Sequence, residues 1–346
     1  MGRSIGGASS GEETTCRMAS TTSLERTCVT LPSLNSSVVP LWSAMMHGAR
    51  GAASNLGYLD VPAMPLMVGV TGACENVDTL FKVEGAQEFF GGPAFLAQSD
   101  QLYLELLTHE YEKVSTEIQS FRMEEKADAR RLCQFTLFEI ERRGGLDELL
   151  IDIEAIVTEA MMSVAERLFP IESEHYAEVA DWCIGSWPRI SYASVINDIL
   201  DLSWGTDLTA EHEQHVVAEV GGPCFVTHYP AGIKFFNMRD TPGDTGTVES
   251  ADLLLPYAGE SAGCAARQTD YDSLVRKLKS SDMYRLLKAQ GVPDEAFDWY
   301  LNFHRDNEVK PHAGAGIGMA RVAQAIMGAT DIRSAVPFPI NKEMLP

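Results

Sequence analysis

Basic residues are scarce in this chain: 27 lysines and arginines stand against 49 acids, a formal net charge of −22 over 346 residues. A field of that sign does not draw nucleic acid to the protein as a whole, although a local basic patch is compatible with it. Long apolar runs are missing too, and a bilayer-spanning helix needs about 20 mostly apolar residues in a row. No membrane association is expected. The seven cysteines (Cys16, Cys28, Cys74, Cys133, Cys183, Cys224, Cys264) are scattered and form no C-x-x-C pair, which argues against a disulfide framework or a thiolate zinc site. Reduced thiols in a cytoplasmic enzyme are the expectation. His212 and His215, in Glu211-His212-Glu213-Gln214-His215, have the wrong spacing for an H-E-x-x-H zinc helix and read as a solvated helical face.

What is present is a globular composition, 45% hydrophobic, long enough for one large domain or two smaller ones. Residues 1–36 are rich in Ser, Thr and Gly without apolar periodicity, and are expected to be disordered or loosely attached. Three arginines there suggest a presequence, against which Glu12, Glu13 and Glu25 argue. Residues 37–346 are expected to form the catalytic domain. Helical patterns cover about 37–55, 99–117 and 146–168, the last with Asp147 and Glu148 in its first turn. Gly57 to Pro65 reads as a short strand ended by prolines. Cys224–Thr227 and Ile233–Met238, flanking Tyr229-Pro230-Ala231-Gly232, read as a hairpin, and Ala251–Leu255 as a further strand. Strands joined by short turns predict an α+β fold, an antiparallel sheet flanked by helices, and not a doubly wound parallel sheet.

Near the C-terminus the chain reads Pro311-His312-Ala313-Gly314-Ala315-Gly316-Ile317-Gly318-Met319-Ala320-Arg321. Glycine at every second position strips one strand face of side chains, so that a flat ligand can lie on the backbone. Arg321 can stack its guanidinium on a purine. Binding of ATP is the expectation. A second segment runs from Phe121-Arg122-Met123-Glu124 to Arg130 and on to Glu141, a loop followed by an alternating strand. An arginine such as Arg122 can bond the α-phosphate through parallel donors and stabilise the charge that builds there as pyrophosphate leaves. Phe135 offers an aromatic face opposite Arg321. A third segment holds Asp252, Glu260 and Arg267; its two carboxylates are hard oxygen ligands of the kind Mg²⁺ takes beside phosphates. The fourth, Phe95 to Glu105, contains Gln98-Ser99-Asp100-Gln101.

These four segments in this order resemble the catalytic core of class II aminoacyl-tRNA synthetases of the aspartyl/asparaginyl group, and most of all the asparaginyl enzymes. Phe121–Glu141 is similar to the family's motif 2, Pro311–Arg321 with Pro337-Phe338-Pro339 to motif 3; Tyr229-Pro230-x-x-Ile233-Lys234 and Gly259-Glu260 with Arg267 also match. The resemblance covers about residue 40 to the end. It implies that Arg122, with Glu124, binds the α-phosphate side of ATP and His312 the outer phosphates. Phe135 and Arg321 would sandwich adenine over Gly316 and Gly318, so Arg122 and Arg321 are the candidate catalytic residues. Asp252 and Glu260 would hold Mg²⁺. Glu75, Gln98 and Gln101 would receive the amino group of the amino acid, and Arg267 would read its side chain. The helix before Gly57 would form a homodimer interface.

Departures from the family pattern gather around the amino-acid pocket and the adenine edge. Leu104 stands where aspartyl enzymes carry a lysine, one cation fewer, which favours a neutral amide over a second carboxylate. Ala320 replaces an acid, Gln134 a glutamate, Ala231 a lysine, Asn76-Val77 two glycines, Ala265-Ala266 a Ser-Gln pair and Gln268 a glutamate. Asparaginyl enzymes carry an anticodon-binding barrel ahead of the core, for which the 56 residues before Gly57 leave no room. The expected function is therefore ATP-dependent, AMP-forming activation of an asparagine- or aspartate-like amino acid by a freestanding paralogue. Ammonia would capture the adenylate as an amide, and tRNA is not expected as a partner. The alternatives are asparagine–tRNA ligation without an anticodon domain, dehydration of an amide to a nitrile, and a non-catalytic regulator.

Overall fold

A computed structural model describes residues 35–70 and 77–345. The segment expected to be disordered, 1–36, lies almost wholly outside the described residues, and so does Glu75. Eight strands form one mixed sheet: β1 Leu59–Asp60, β2 Lys113–Phe121, β3 Gln134–Arg143, β4 Arg189–Ser191, β5 Cys224–Thr227, β6 Ser250–Leu255, β7 Gly259–Ala266 and β8 His312–Gly318. Their spatial order is β1-β2-β3-β8-β7-β6-β5-β4. The six central strands pair antiparallel, while β1 joins β2 and β4 joins β5 in parallel at the two edges. The sheet is thus α+β, antiparallel at its heart.

Period-two alternation gives the sheet two unlike faces. Phe138 and Ile140 of β3, Ala313, Ala315 and Ile317 of β8, and Ala262, Cys264 and Ala266 of β7 all enter one apolar core. Helices α1 (Val39–Asn55) and α3 (Leu146–Leu168) cover that face with α5 (Met319–Ile326), α1 lying along α3. The opposite face presents Glu139, Glu141, Asp252 and the glycines, and stays polar. Helix α2 (Gln101–Leu107) sits on it beside β3 and β8, and α4 (Ala210–Val220) beside β7.

Two elements depart from the sequence reading. The helix expected over 99–117 ends at Leu107, and 113–121 is strand β2, whose Val114, Thr116 and Ile118 are β-branched and buried. The hairpin expected over 224–238 does not form. Pro230 and a 3₁₀ turn at Ala231–Ile233 end the run; β5 pairs with β4 and β6 instead, and Phe235, Phe236 and Met238 enter a second apolar cluster.

Gly48 sets the closeness of α1 to α3. A Cβ there would fall 2.4 Å from the main-chain oxygen of Glu159 and 2.8 Å from Ser163 Cβ. Gly48→Ala gains up to about 1 kcal/mol of helix propensity. It must also push two packed helices apart, at about 1–3 kcal/mol. Net destabilisation is expected in urea unfolding; a stabilised Gly48→Ala would show that the contact yields freely.

Candidate functional site

The polar face is the floor of a cavity of about 770 Å³. Arg122, Glu124, Phe135, Gln101, Arg267, Asp252, Glu260, Gly316, Gly318 and Arg321 all line it, so four segments far apart in sequence meet in one place. Gln98 and His312 are buried and do not line it.

At one end Phe135 and Arg321 share a wall with Leu132, Ala320 and Ile332. Arg321 Nη2 donates to the carbonyl of Arg130 at 2.8 Å and Nη1 to that of Ala258. Two main-chain acceptors thus hold the guanidinium plane. Burial, then the nearby charge of Arg130, lowers its pKa to about 10, which leaves it a cation at neutral pH. Ala320 packs against Leu132, Ile332 and Val336, which accounts for a small apolar residue there. Arg122 lies over the Phe135 ring, its Cζ 5.3 Å from the centroid.

The loop between β2 and β3 is tied down by ion pairs. Arg131 meets Asp128 and, at 3.5 Å, Glu124. Arg130 donates to Glu213 of α4 at 2.6 Å, and the same Glu213 oxygen accepts the Glu260 amide at 3.0 Å. Glu213 is buried, against the expectation of a solvated face for residues 211–215; burial and the charge of Glu260 raise its pKa. Gly259 makes this possible. Its φ is +70°, and a Cβ would meet Glu213 Oε2 at 2.2 Å.

Asp252 and Glu260 flank the open floor at Gly263: one oxygen of each lies 3.9 Å from where a side chain on that glycine would begin. Two carboxylates around a bare strand fit a magnesium ion that arrives with a nucleotide's phosphates. Asp252 is shared, however, because Lys234 Nζ donates to both its oxygens at 3.0 and 2.9 Å while lying 4.2 Å above the Tyr229 ring. The exposed Glu260 is the less committed ligand.

Arg267 closes the other end, only 3% exposed. Its Nε and Nη2 reach Glu141 at 3.3 and 3.1 Å, Nη2 also reaches Gln101 Oε1, and Nε lies 3.6 Å from Glu105. Gln101 Nε2 in turn donates to the Ala315 carbonyl at 3.0 Å. Burial alone would raise both glutamates. Against it, His312 and Arg267 hold Glu105 below its ordinary value, whereas Glu141 stays above. Gln98 Nε2 is bonded to Thr79 Oγ1 at 2.9 Å.

Two expectations need correcting here. Gly314 pairs with Glu141 across the sheet, and a Cβ on it would fall 1.6 Å from Glu141 Oε2. That glycine accommodates the protein's own buried carboxylate, so the bare face offered to a ligand is limited to Gly316 and Gly318. His312, expected at the outer phosphates, is wholly buried behind Arg267, bonded through Nδ1 to the Lys310 carbonyl at 2.8 Å and facing Glu105 at 3.5 Å. As the first residue of β8 it shares the polar face with Gly316 and Gly318 but stands at the other end of the strand, against Glu105 of α2 and outside the cavity lining.

A second acid pair lies at the floor, where Glu139 lines the cavity. Glu139 accepts from Ser99 Oγ at 2.6 Å and from the Asp100 amide at 2.9 Å. Neither Asp100 carboxyl oxygen has a hydrogen-bond partner among the described residues. Burial, then the charge of Glu139, pushes Asp100 up to about 8; burial pushes Glu139 up to about 7. Both folded pKa values exceed the ordinary ones, so these neutral acids stabilise fully at low pH and lose that contribution as pH rises through about 7 to 8. The melting temperature should fall between about pH 5 and pH 8, and Glu139→Gln should flatten the fall. An equally steep profile in the variant would exclude Glu139 as its source.

Sequence reasoning missed Glu105, Glu139, Glu141 and Glu213. Glu139-x-Glu141 carried a usable signal: two acids at strand spacing, on the face that β8 leaves to glycine.

A family model described as tRNA synthetases class II (D, K and N) matches residues 26–342. The asparagine–tRNA ligase of Thermoplasma acidophilum is 33% identical over 293 residues, covering 82% of this chain; that of Thermococcus kodakarensis is 32% identical over 315 residues, covering 87%. The chain spans 64% and 68% of those two proteins' lengths. Among solved structures, the asparaginyl-tRNA synthetase of Pyrococcus horikoshii complexed with asparaginyl-adenylate superposes with a TM-score of 0.78 at 29% identity, over 90% of this chain and 70% of that one. The Entamoeba histolytica asparaginyl enzyme, also with asparaginyl-adenylate, gives 0.73 at 26%, over 90% and 68%. With a fold, a strand order and a cavity wall that answer to the same motifs, the chain belongs to the class II tRNA synthetase family of the D, K and N type.

Proposed function

We propose that the cavity adenylates asparagine. The amino-acid carboxylate attacks the α-phosphorus of ATP, pyrophosphate leaves, and the acyl-adenylate is held for transfer to an acceptor, as in asparagine–tRNA ligation. The observation that carries the choice of side chain is the state of Arg267: its charge is already matched by Glu141 and Glu105. Leu104, buried and apolar in α2, adds no second cation. An end whose one cation is spent on the protein's own acids favours a neutral amide over a carboxylate.

In this reading Arg122 bonds the α-phosphate and stabilises the charge developing there, while Phe135 and Arg321 grip the adenine. Alignment and charge stabilisation supply the catalysis, without a general base. Magnesium held by Asp252 and Glu260 would neutralise charge on the outer phosphates. The names of the relatives support an RNA acceptor over the amide- and nitrile-forming alternatives.

The test is ATP–pyrophosphate exchange with single amino acids and no RNA, followed by offering ammonium or unfractionated tRNA to the preformed adenylate and reading the product by mass spectrometry. Exchange with asparagine at least about tenfold above aspartate is expected, one buried charge being worth that much or more. No exchange with any amino acid, or a preference for aspartate, would overturn the reading. An amide or nitrile product from an RNA-free reaction would overturn the choice of acceptor.

A further inference from the structure

Behind the cavity, on the side away from the nucleotide end, three side chains from separate elements turn their donor atoms toward one another. Glu105 comes from α2, His312 opens β8, and His304 sits on the helix Asp298–Asp306. The two imidazole nitrogens and the carboxylate oxygen lie within 4.8 Å of one another. All three residues are buried, with His304 5%, Glu105 1% and His312 0% exposed.

The hydrogen bonds around them fix which atoms face inward. A carbonyl only accepts, so His304 Nδ1 must donate to Tyr300 O at 2.9 Å and His312 Nδ1 to Lys310 O at 2.8 Å. In neutral rings, that leaves a lone pair on each Nε2, and the Nε2 of His312 is the atom that faces Glu105, at 3.5 Å. Donation of the remote ring N–H to a main-chain carbonyl is how ligating histidines are usually held. Glu105 is oriented in the same way, accepting from Tyr300 Oη at 2.6 Å on one oxygen and from Asn237 Nδ2 at 2.6 Å on the other.

His304 makes the arrangement informative. Its Nε2 is buried and has no hydrogen-bond partner among the described residues. An imidazolium on His312 paired with Glu105 would satisfy those two groups and still leave His304 Nε2 unmatched. We infer that Glu105, His304 and His312 form a binding site for a divalent first-row metal ion, with zinc the best fit to two imidazoles and one carboxylate. Ligands about 2.0–2.2 Å from zinc sit about 3.5 Å from each other, so the set needs to close by about an ångström, within the reach of side-chain rotation. The ion would staple the helix Asp298–Asp306 to α2 and β8 behind Arg267. This site is distinct from Asp252 and Glu260, and the inference does not rest on the proposed reaction.

The experiment uses the full chain, stripped with chelator and titrated with Co²⁺ and with Zn²⁺. One equivalent of Co²⁺ should produce visible d–d bands without thiolate charge-transfer absorption, Zn²⁺ should displace it, and the melting temperature should rise on binding. His304→Gln should weaken Co²⁺ binding at least about tenfold, the lower end of what removing a metal-site group costs. His312→Gln should do the same, so that one poorly folding variant does not decide the matter. Absence of bands and of any melting shift in the unaltered chain would overturn the site, as would thiolate absorption or binding unchanged in both variants. Because metal binding is read directly, a negative result leaves the adenylation reading standing.

Discussion

Arg122→Ala is expected to lower ATP–pyrophosphate exchange by about a hundred- to a thousandfold, the usual loss when a donor to developing transition-state charge is removed. The fold should survive. Arg122 is half-buried at the cavity wall and touches the Phe135 ring, and the central strands beneath it pair without it. The loss should fall mainly on kcat, because charge on the α-phosphate grows between bound ATP and the transition state. Arg122→Lys should recover part of the rate: it restores the charge and lacks the two-pronged geometry. Phe135→Leu should act differently, raising the KM for ATP with a smaller effect on kcat, since a stacking face serves ground state and transition state alike. If Arg122→Ala retained exchange within threefold of the unaltered chain, Arg122 would have no claim to the α-phosphate and the site would need another donor.

The sequence exposes the parts of this site that chemistry repeats locally. Phe121–Glu124, the alternation over 134–143 and the glycines before Arg321 are each legible by themselves, and their order along the chain is enough to suggest the fold. Helix α3 is legible for the same reason, having acids in its first turn and an apolar stripe behind them. What stays hidden depends on pairing across the sheet. Gly314 reads as a ligand platform until β8 is set against β3 and Glu141 is found on it. Glu213 reads as a solvated residue until α4 is laid over β7, where Gly259 and Arg130 receive it. His312 reads as a phosphate ligand by its neighbours in sequence, yet it stands at the far end of β8 from the floor glycines and faces Glu105. The stretch 113–117 reads as a continuation of α2, although its β-branched residues favour the strand that it joins.

The largest effect on stability is expected from Arg267→Leu. The change removes the one cation that, among the described residues, touches both Glu141 and Glu105, which are buried. Breaking a buried pair from one side costs about 3–5 kcal/mol, because the remaining charge is left uncompensated. Loss of Arg267 should therefore drive the glutamates to take up protons, Glu141 first, since burial already holds it above its ordinary pKa. A folded pKa raised further means a stabilising contribution present at low pH and lost as pH rises, so the penalty should shrink toward about pH 5 and widen toward about pH 8. Urea unfolding at several pH values checks both the size and the slope. Pairing the change with Glu141→Gln should cost less than the sum of the two single changes, because the second removes a charge that the first had stranded. A pH-independent loss, or one below about 1 kcal/mol, would mean that water reaches the cluster and screens it. The argument for a neutral amide would then fail with it, because a solvated Arg267 keeps its charge available to a substrate carboxylate.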